Sequence, residues 1–186
     1  MRYLLPVLLL LTACTHQRPD SLDEISLSTT EGKTWNGTDL SSHAATVFIF
    51  FAPQCPLSEN YCLQTNVLQA QYLSEGVQFF AVIPGALFSS EEINDFLQRY
   101  QLDVPVLLDP DKYLCDVLGA TITPEAFLTD PAGQTLYSGA IDNWAVDLGK
   151  KREVVTEFYL RDAIDAILQK QPVPISKTTA VGCYIE

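Results

Sequence analysis

The clearest hydrophobic pattern in the chain is the unbroken run Val47-Phe-Ile-Phe-Phe51. A β-branched and aromatic run without polar alternation predicts a strand covered on both faces. Val77 to Ile83 is a second such run, closed by Pro84-Gly85, and Val104 to Leu108 is a shorter third. Between them the period changes. Ile93, Phe96, Leu97 and Tyr100 recur at helical spacing behind the capping box Ser89-x-x-Glu92. A longer helix is expected from Pro56 to about Ser74, stopped by Gly76. Leu160, Ile164, Ile167 and Leu168 give the apolar stripe of a last helix over Val154 to Lys170. Leu114, Val117 and Leu118 mark a short one after Asp109-Pro110.

Alternating stretches fill the rest. Ile25 to Ser28 and Lys33 to Trp35 flank the Glu31-Gly32 turn, and Ala126 to Thr129 and Gln134 to Ser138 flank Asp130-Pro-Ala-Gly133. Both read as hairpins. Ile141 to Lys151 reads as a loop. Strands alternating with helices, then a hairpin and a helix, predict an α/β sandwich around a mixed central sheet.

The first residues follow a different pattern. Arg2 precedes the apolar stretch Leu4 to Leu11, which is too short to span a bilayer and reads as a signal peptide. It ends Leu11-Thr-Ala-Cys14, which resembles a bacterial lipobox. That resemblance implies cleavage before Cys14 and acylation of Cys14. Several acyl chains would anchor the protein stably. Residues 1–13 are then the signal and 14–24 a polar tether. Residues 25–170 form one domain, and 171–186 a tail after Pro172 and Pro174. The expected location is the cell envelope, facing the periplasm. Thr15 after Cys14 favours the outer membrane. An ordinary secreted protein is the other reading.

Composition narrows the chemistry. With 186 residues, 47% hydrophobic, the chain can bury a core, and a net charge of −12 argues against nucleic acid. The two histidines, His16 and His43, form no cluster, so no metal or other cofactor is expected.

The five cysteines decide the rest. Cys55 falls between the first buried run and the helix at Pro56. A helix N-terminus favours negative charge, so a thiol there ionises readily and becomes a nucleophile. Cys62 lies seven residues on, about 10 Å along a helix, beyond the roughly 7 Å that a disulfide spans between Cα atoms. Cys62 and Cys115 read as core residues. Cys183 sits in a tail too apolar to float free, behind Gly182, whose backbone freedom other residues lack. It is a candidate partner for Cys55, with a structural disulfide to Cys62 or Cys115 the equal alternative.

The segment Phe51-Ala-Pro-Gln-Cys55-Pro-Leu-Ser58 resembles the active-site segment of thioredoxin-fold redoxins, with Ser58 in place of the second cysteine. Gly119-Ala-Thr-Ile-Thr123-Pro124-Glu-Ala-Phe-Leu resembles their cis-proline segment. With the ending Gly182-Cys-Tyr-Ile185, the chain is similar to a bacterial redoxin group with a Cys-Pro-x-Ser motif. The resemblance implies a thioredoxin-like three-layer α/β/α sandwich, with Thr123 and Pro124 facing Cys55 and with Pro56 and Ser58 at the substrate. It implies a thiol–disulfide oxidoreductase acting on protein thiols or disulfides, or on a partner redoxin. Cys55 attacks and Cys183 resolves. A thiol peroxidase is the alternative, but peroxiredoxins carry Thr or Ser where Ala52 stands. A metal-binding or scaffold lipoprotein is the third reading. Glu125, Asp142 and Trp144 are further candidates to line the site.

Overall fold

The computed structural model describes residues 18–186. The expected signal, the expected lipidation site Cys14 and tether residues up to 17 lie outside the described residues.

The central strand is β3, Ala45–Phe50, and all six of its residues are buried. It runs parallel to β4, Val77–Pro84, which runs parallel to β5, Val106–Asp109. The hairpin of β1, Ser26–Thr29, and β2, Thr34–Asn36, adds antiparallel to β5. On the other side of β3 lie β7, Glu125–Thr129, and β8, Thr135–Gly139, both antiparallel to their neighbours. The sheet order is β2-β1-β5-β4-β3-β7-β8. The mixed sheet flanked by helices that the alternation predicts is thus the fold.

Its faces are unequal. Val47, Ile49 and Phe51 pack with the helices α1, Pro56–Tyr72, α2, Ser90–Arg99, and α4, Tyr159–Leu168. Phe48 and Phe50 face the other way, toward α3, Tyr113–Leu118, and the N-terminal segment. Trp35 meets Phe48 and Phe80 edge-on there. Leu22 and Ile25 are buried in the same cluster, so packing begins within the expected tether. A Cβ on Gly37 would lie 1.6 Å from the Leu22 carbonyl oxygen, so only glycine lets the two segments touch.

Two boundaries differ from the sequence reading. The last helix starts at Tyr159, not Val154. Asn143 holds the intervening residues out of the helix: its side-chain oxygen accepts from Thr156 N (3.0 Å) and its backbone N–H donates to the Glu157 carbonyl (3.1 Å). The expected loop at 141–151 contains a short ribbon, β9, Ala145–Asp147, with β10, Lys150–Lys151.

The tail is docked. Thr178 N donates to the Ser138 carbonyl, and Ser138 N to that of Ser176, along the free edge of β8. The chain then crosses to β6, Ile122–Thr123, and pairs with it antiparallel as β11, Cys183–Tyr184. Gly182 permits this by its missing side chain, since a Cβ would lie 2.1 Å from the Thr123 carbonyl oxygen. Close approach, rather than an unusual backbone angle, is what requires glycine there.

Candidate active site

Cys55 is the N-cap of α1. Strand β3 ends at Phe50, and Gln54 turns the chain with φ +68°. The Gln54 amide nitrogen donates to Glu92 Oε1 at 3.2 Å, tying this turn to the capping box of α2. Pro56 opens the helix, where its missing N–H leaves no bond unmade.

The sulfur lies in a cluster of donors. Burial alone raises the Cys55 pKa. The Cys183 thiol, the Ser58 N–H and hydroxyl, and the Leu57 N–H oppose this and bring it below the ordinary thiol value. The helix amides make no cap bond of good geometry to the sulfur, so they act on its charge mainly through their dipoles. When Cys55 is protonated, its S–H donates to the Thr123 carbonyl at 3.2 Å. The Thr123–Pro124 peptide is cis. Glu125 shapes the same loop, its Oε2 accepting from the N–H groups of Thr121 (2.9 Å) and Ile122 (3.3 Å).

Cys183 stands across from Cys55 in register with Thr123. Its carbonyl accepts from Thr123 Oγ1 at 3.3 Å. Burial, its bond to Cys55 and the Cys55 charge push its thiol up to about 12. Of the pair, Cys55 is thus the easier sulfur to ionise and Cys183 the harder. All four described cysteines are free thiols.

The remaining cysteines are of the other kind. Cys62 is fully buried and donates to the Ser58 carbonyl. Cys115 is buried and donates to the Ala120 carbonyl. Burial, with Glu59 near Cys62 and Asp109 near Cys115, pushes each to about 12.

An open groove of about 200 Å³ reaches Cys55. Pro53, Pro84, Leu87 and Phe88 form one wall, and the tail residues Cys183 to Glu186 the other. Leu87 and Tyr184 are 66% and 81% exposed. Neither was singled out by the sequence, although Leu87-Phe88 directly after Pro84-Gly85 is an apolar pair in a turn. Of the expected substrate contacts, Ser58 is fully buried behind the sulfur, where its hydroxyl accepts from Ala52 N at 3.2 Å and so is left to donate to Cys55. Pro56 is exposed and lies outside the groove walls. Asp142 and Trp144 are also elsewhere. Asp142 Oδ1 accepts from Tyr61 Oη (2.7 Å) and Trp144 N (2.9 Å), and Trp144 packs edge-on against Tyr61. They fasten the 141–144 loop to α1.

With this geometry in hand, the relatives can be set beside it. A model of the AhpC/TSA family matches residues 19–138. The thiol-disulfide oxidoreductase ResA of Bacillus subtilis (strain 168) is 29% identical over 112 residues, 59% of this chain and 60% of that protein. The match therefore spans about three-fifths of the length of that relative. Among solved structures, a hypothetical protein of Sinorhizobium meliloti 1021 superposes with a TM-score of 0.77 at 22% identity, covering 92% of this chain and 94% of the other. A thiol:disulfide interchange protein DsbE of Chlorobium tepidum, so described provisionally, gives 0.59 at 19% identity over 83% and 96%. These likenesses carry the fold, and the family match carries the kinship. The chain belongs to the AhpC/TSA family of redoxins, built on a thioredoxin-like fold.

Proposed function

We propose that this protein is a thiol–disulfide oxidoreductase in which Cys55 is the nucleophile and Cys183 resolves the mixed disulfide. The observation that carries this reading is the pairing of β11 with β6, which sets Cys183 against Cys55 in a chain that has Ser58 at the usual second-cysteine position. The kinship with ResA supports the same class of reaction.

The steps balance as follows. The Cys55 thiolate attacks one sulfur of a substrate disulfide and forms a mixed disulfide, and the first substrate sulfur leaves as a thiolate and takes a proton. Cys183 loses its proton and attacks Cys55 Sγ. A Cys55–Cys183 disulfide forms, and the second substrate sulfur leaves as a thiol. The substrate gains two electrons and the protein loses two. Thr123 and Pro124 fix the position of the sulfur pair, and Ser58 stabilises the Cys55 anion. With β11 docked, Cys55 is 2% exposed, so a protein disulfide reaches it when the tail lifts. The tail is held near its end by only a few bonds, among them Ile185 N to the Thr121 carbonyl and Lys112 Nζ to the Glu186 carbonyl. Ala52 presents no hydroxyl to a peroxide, so the peroxidase alternative has less support.

The test is trapping. Cys183→Ser should accumulate mixed disulfides between Cys55 and substrate proteins, and Cys55→Ser should abolish both trapping and turnover. Unchanged turnover of a disulfide substrate in Cys183→Ser would make the tail structural and an external thiol the resolving group.

The same proposal extends to location. Leu11-Thr-Ala-Cys14 supports a lipid anchor on Cys14, with the domain facing the periplasm. Intact mass and fractionation of wild type and Cys14→Ser test it. An unacylated, soluble mature wild type would sink it.

A further inference from the structure

The two sulfurs of the site differ in what can reach them. Cys55 is 2% exposed, enclosed by α1, the Thr123 loop and the tail. Cys183 is part-exposed, on a two-residue strand that pairs on one side only, with β6. Its neighbour Tyr184 is 81% exposed. A Cys55–Cys183 disulfide would tie β11 down over Cys55 and prevent the lifting that gives access in the reduced protein. From outside, the oxidised site then offers one sulfur.

We propose that the dithiol that re-reduces this protein attacks Cys183 Sγ, not Cys55 Sγ, so that electrons enter at the tail and leave at the helix mouth. The inference rests on the reading that Cys55 and Cys183 form a disulfide. A donor thiolate forms a bond to Cys183 Sγ, the Cys55–Cys183 bond breaks, and Cys55 leaves as a thiolate. The donor's second thiol loses its proton and attacks the donor sulfur of this mixed disulfide. The donor becomes a disulfide, and Cys183 leaves and takes up the proton. The donor loses two electrons and the protein gains two.

The leaving groups agree with the access. Thiol exchange runs faster when the departing sulfur is the more stable anion. Ser58 and the first amides of α1 favour a charge on Cys55, whereas burial disfavours one on Cys183. Attack at Cys183 thus expels the stabilised anion into donors already in place. Attack at Cys55 would expel the unstabilised one from beneath the tail.

The test uses glutathione as the probe on the full oxidised chain, after mass mapping has established which cysteines are bonded. Samples mixed with glutathione are quenched at successive short times with excess N-ethylmaleimide, and peptide masses locate each adduct. The expected early product carries glutathione on Cys183 and maleimide on Cys55, in about tenfold excess over the reverse arrangement. Glutathione mainly on Cys55, or equally on both, overturns the proposal and leaves the disulfide reading intact. Absence of a Cys55–Cys183 disulfide before glutathione is added overturns that reading and the proposal with it.

Discussion

Two junctions in this protein carry a buried strand into a helix beside a cysteine, and they produce opposite thiols. At the first, β3 leads through Ala52 to Gln54 into α1, and Cys55 itself takes the N-cap. At the second, β5 leads into α3, and Asp109 at its end turns a buried carboxylate onto the helix. Asp109 Oδ2 accepts from Cys115 N at 2.9 Å, and the N–H groups of Leu114 and Tyr113 also favour its charge. The amides at the mouth of α3 are therefore claimed by a carboxylate. For the Cys115 thiol, burial and the charges of Asp109 and Asp116 outweigh the opposing charge of Lys112, and it rises to about 12. At α1 burial is outweighed by the Cys183 thiol, the N–H and hydroxyl of Ser58 and the N–H of Leu57 together, so the Cys55 thiol falls instead. A helix mouth activates a cysteine where the surrounding donors serve the sulfur rather than a competing carboxylate.

The largest expected effect comes from removing the partner that covers the active junction. Gly182→Val places side-chain atoms where even a Cβ would lie 2.1 Å from the Thr123 oxygen. β11 should lose its seat while the two cores stay packed. Iodoacetamide should then alkylate Cys55 about tenfold faster, and the Cys55–Cys183 disulfide should fail to form in air, with little change in melting temperature. Unchanged alkylation would mean the tail does not cover Cys55.

A smaller change sharpens the account of the charge. Alkylation of Cys55 should rise with pH around a midpoint below the ordinary thiol value of about 8.5, because its folded pKa is lowered. Ser58→Ala removes a charge-stabilising hydroxyl and should move that midpoint up by about one unit. Cys62 and Cys115 should stay unreactive across the same range. If the midpoint does not move, the helix amides and Cys183 act alone.

The smallest effect belongs to the quiet junction. Burial raises the Asp109 pKa in the fold. Its stabilising contribution is complete below the ordinary carboxylate range and is lost as pH rises through the raised value. Asp109→Asn removes that dependence. The melting temperature of the wild type should fall relative to the variant by about 2 °C between pH 4 and neutrality, read by calorimetry. An opposite trend would mean that Asp109 is held ionised by the helix.

Much of this arrangement was legible in the sequence. The run at Val47 has no polar position and the run at Val77 has one, Gln78, so both read as buried strands, and Pro56 after Cys55 marked the helix start. The capping box at Ser89 placed the start of α2. Side-chain claims on the backbone were not legible. Nothing in Val154 to Phe158 shows that Asn143, ten or more residues earlier, holds that segment out of the helix. Ser58 and Pro56 looked equally close to the substrate, but helical geometry turned one inward and the other out. The roles of Gly182 and Lys112 depend on contacts 59 and 74 residues away in sequence, which periodicity cannot report.

The central claim is that Cys55 and Cys183 are the working pair. Disulfide mapping of the air-oxidised, purified protein by non-reducing peptide mass spectrometry tests it most directly. The expected result is a Cys55–Cys183 disulfide with Cys62 and Cys115 recovered as free thiols. A disulfide joining Cys183 to Cys62 or Cys115, with Cys55 left free, would contradict it.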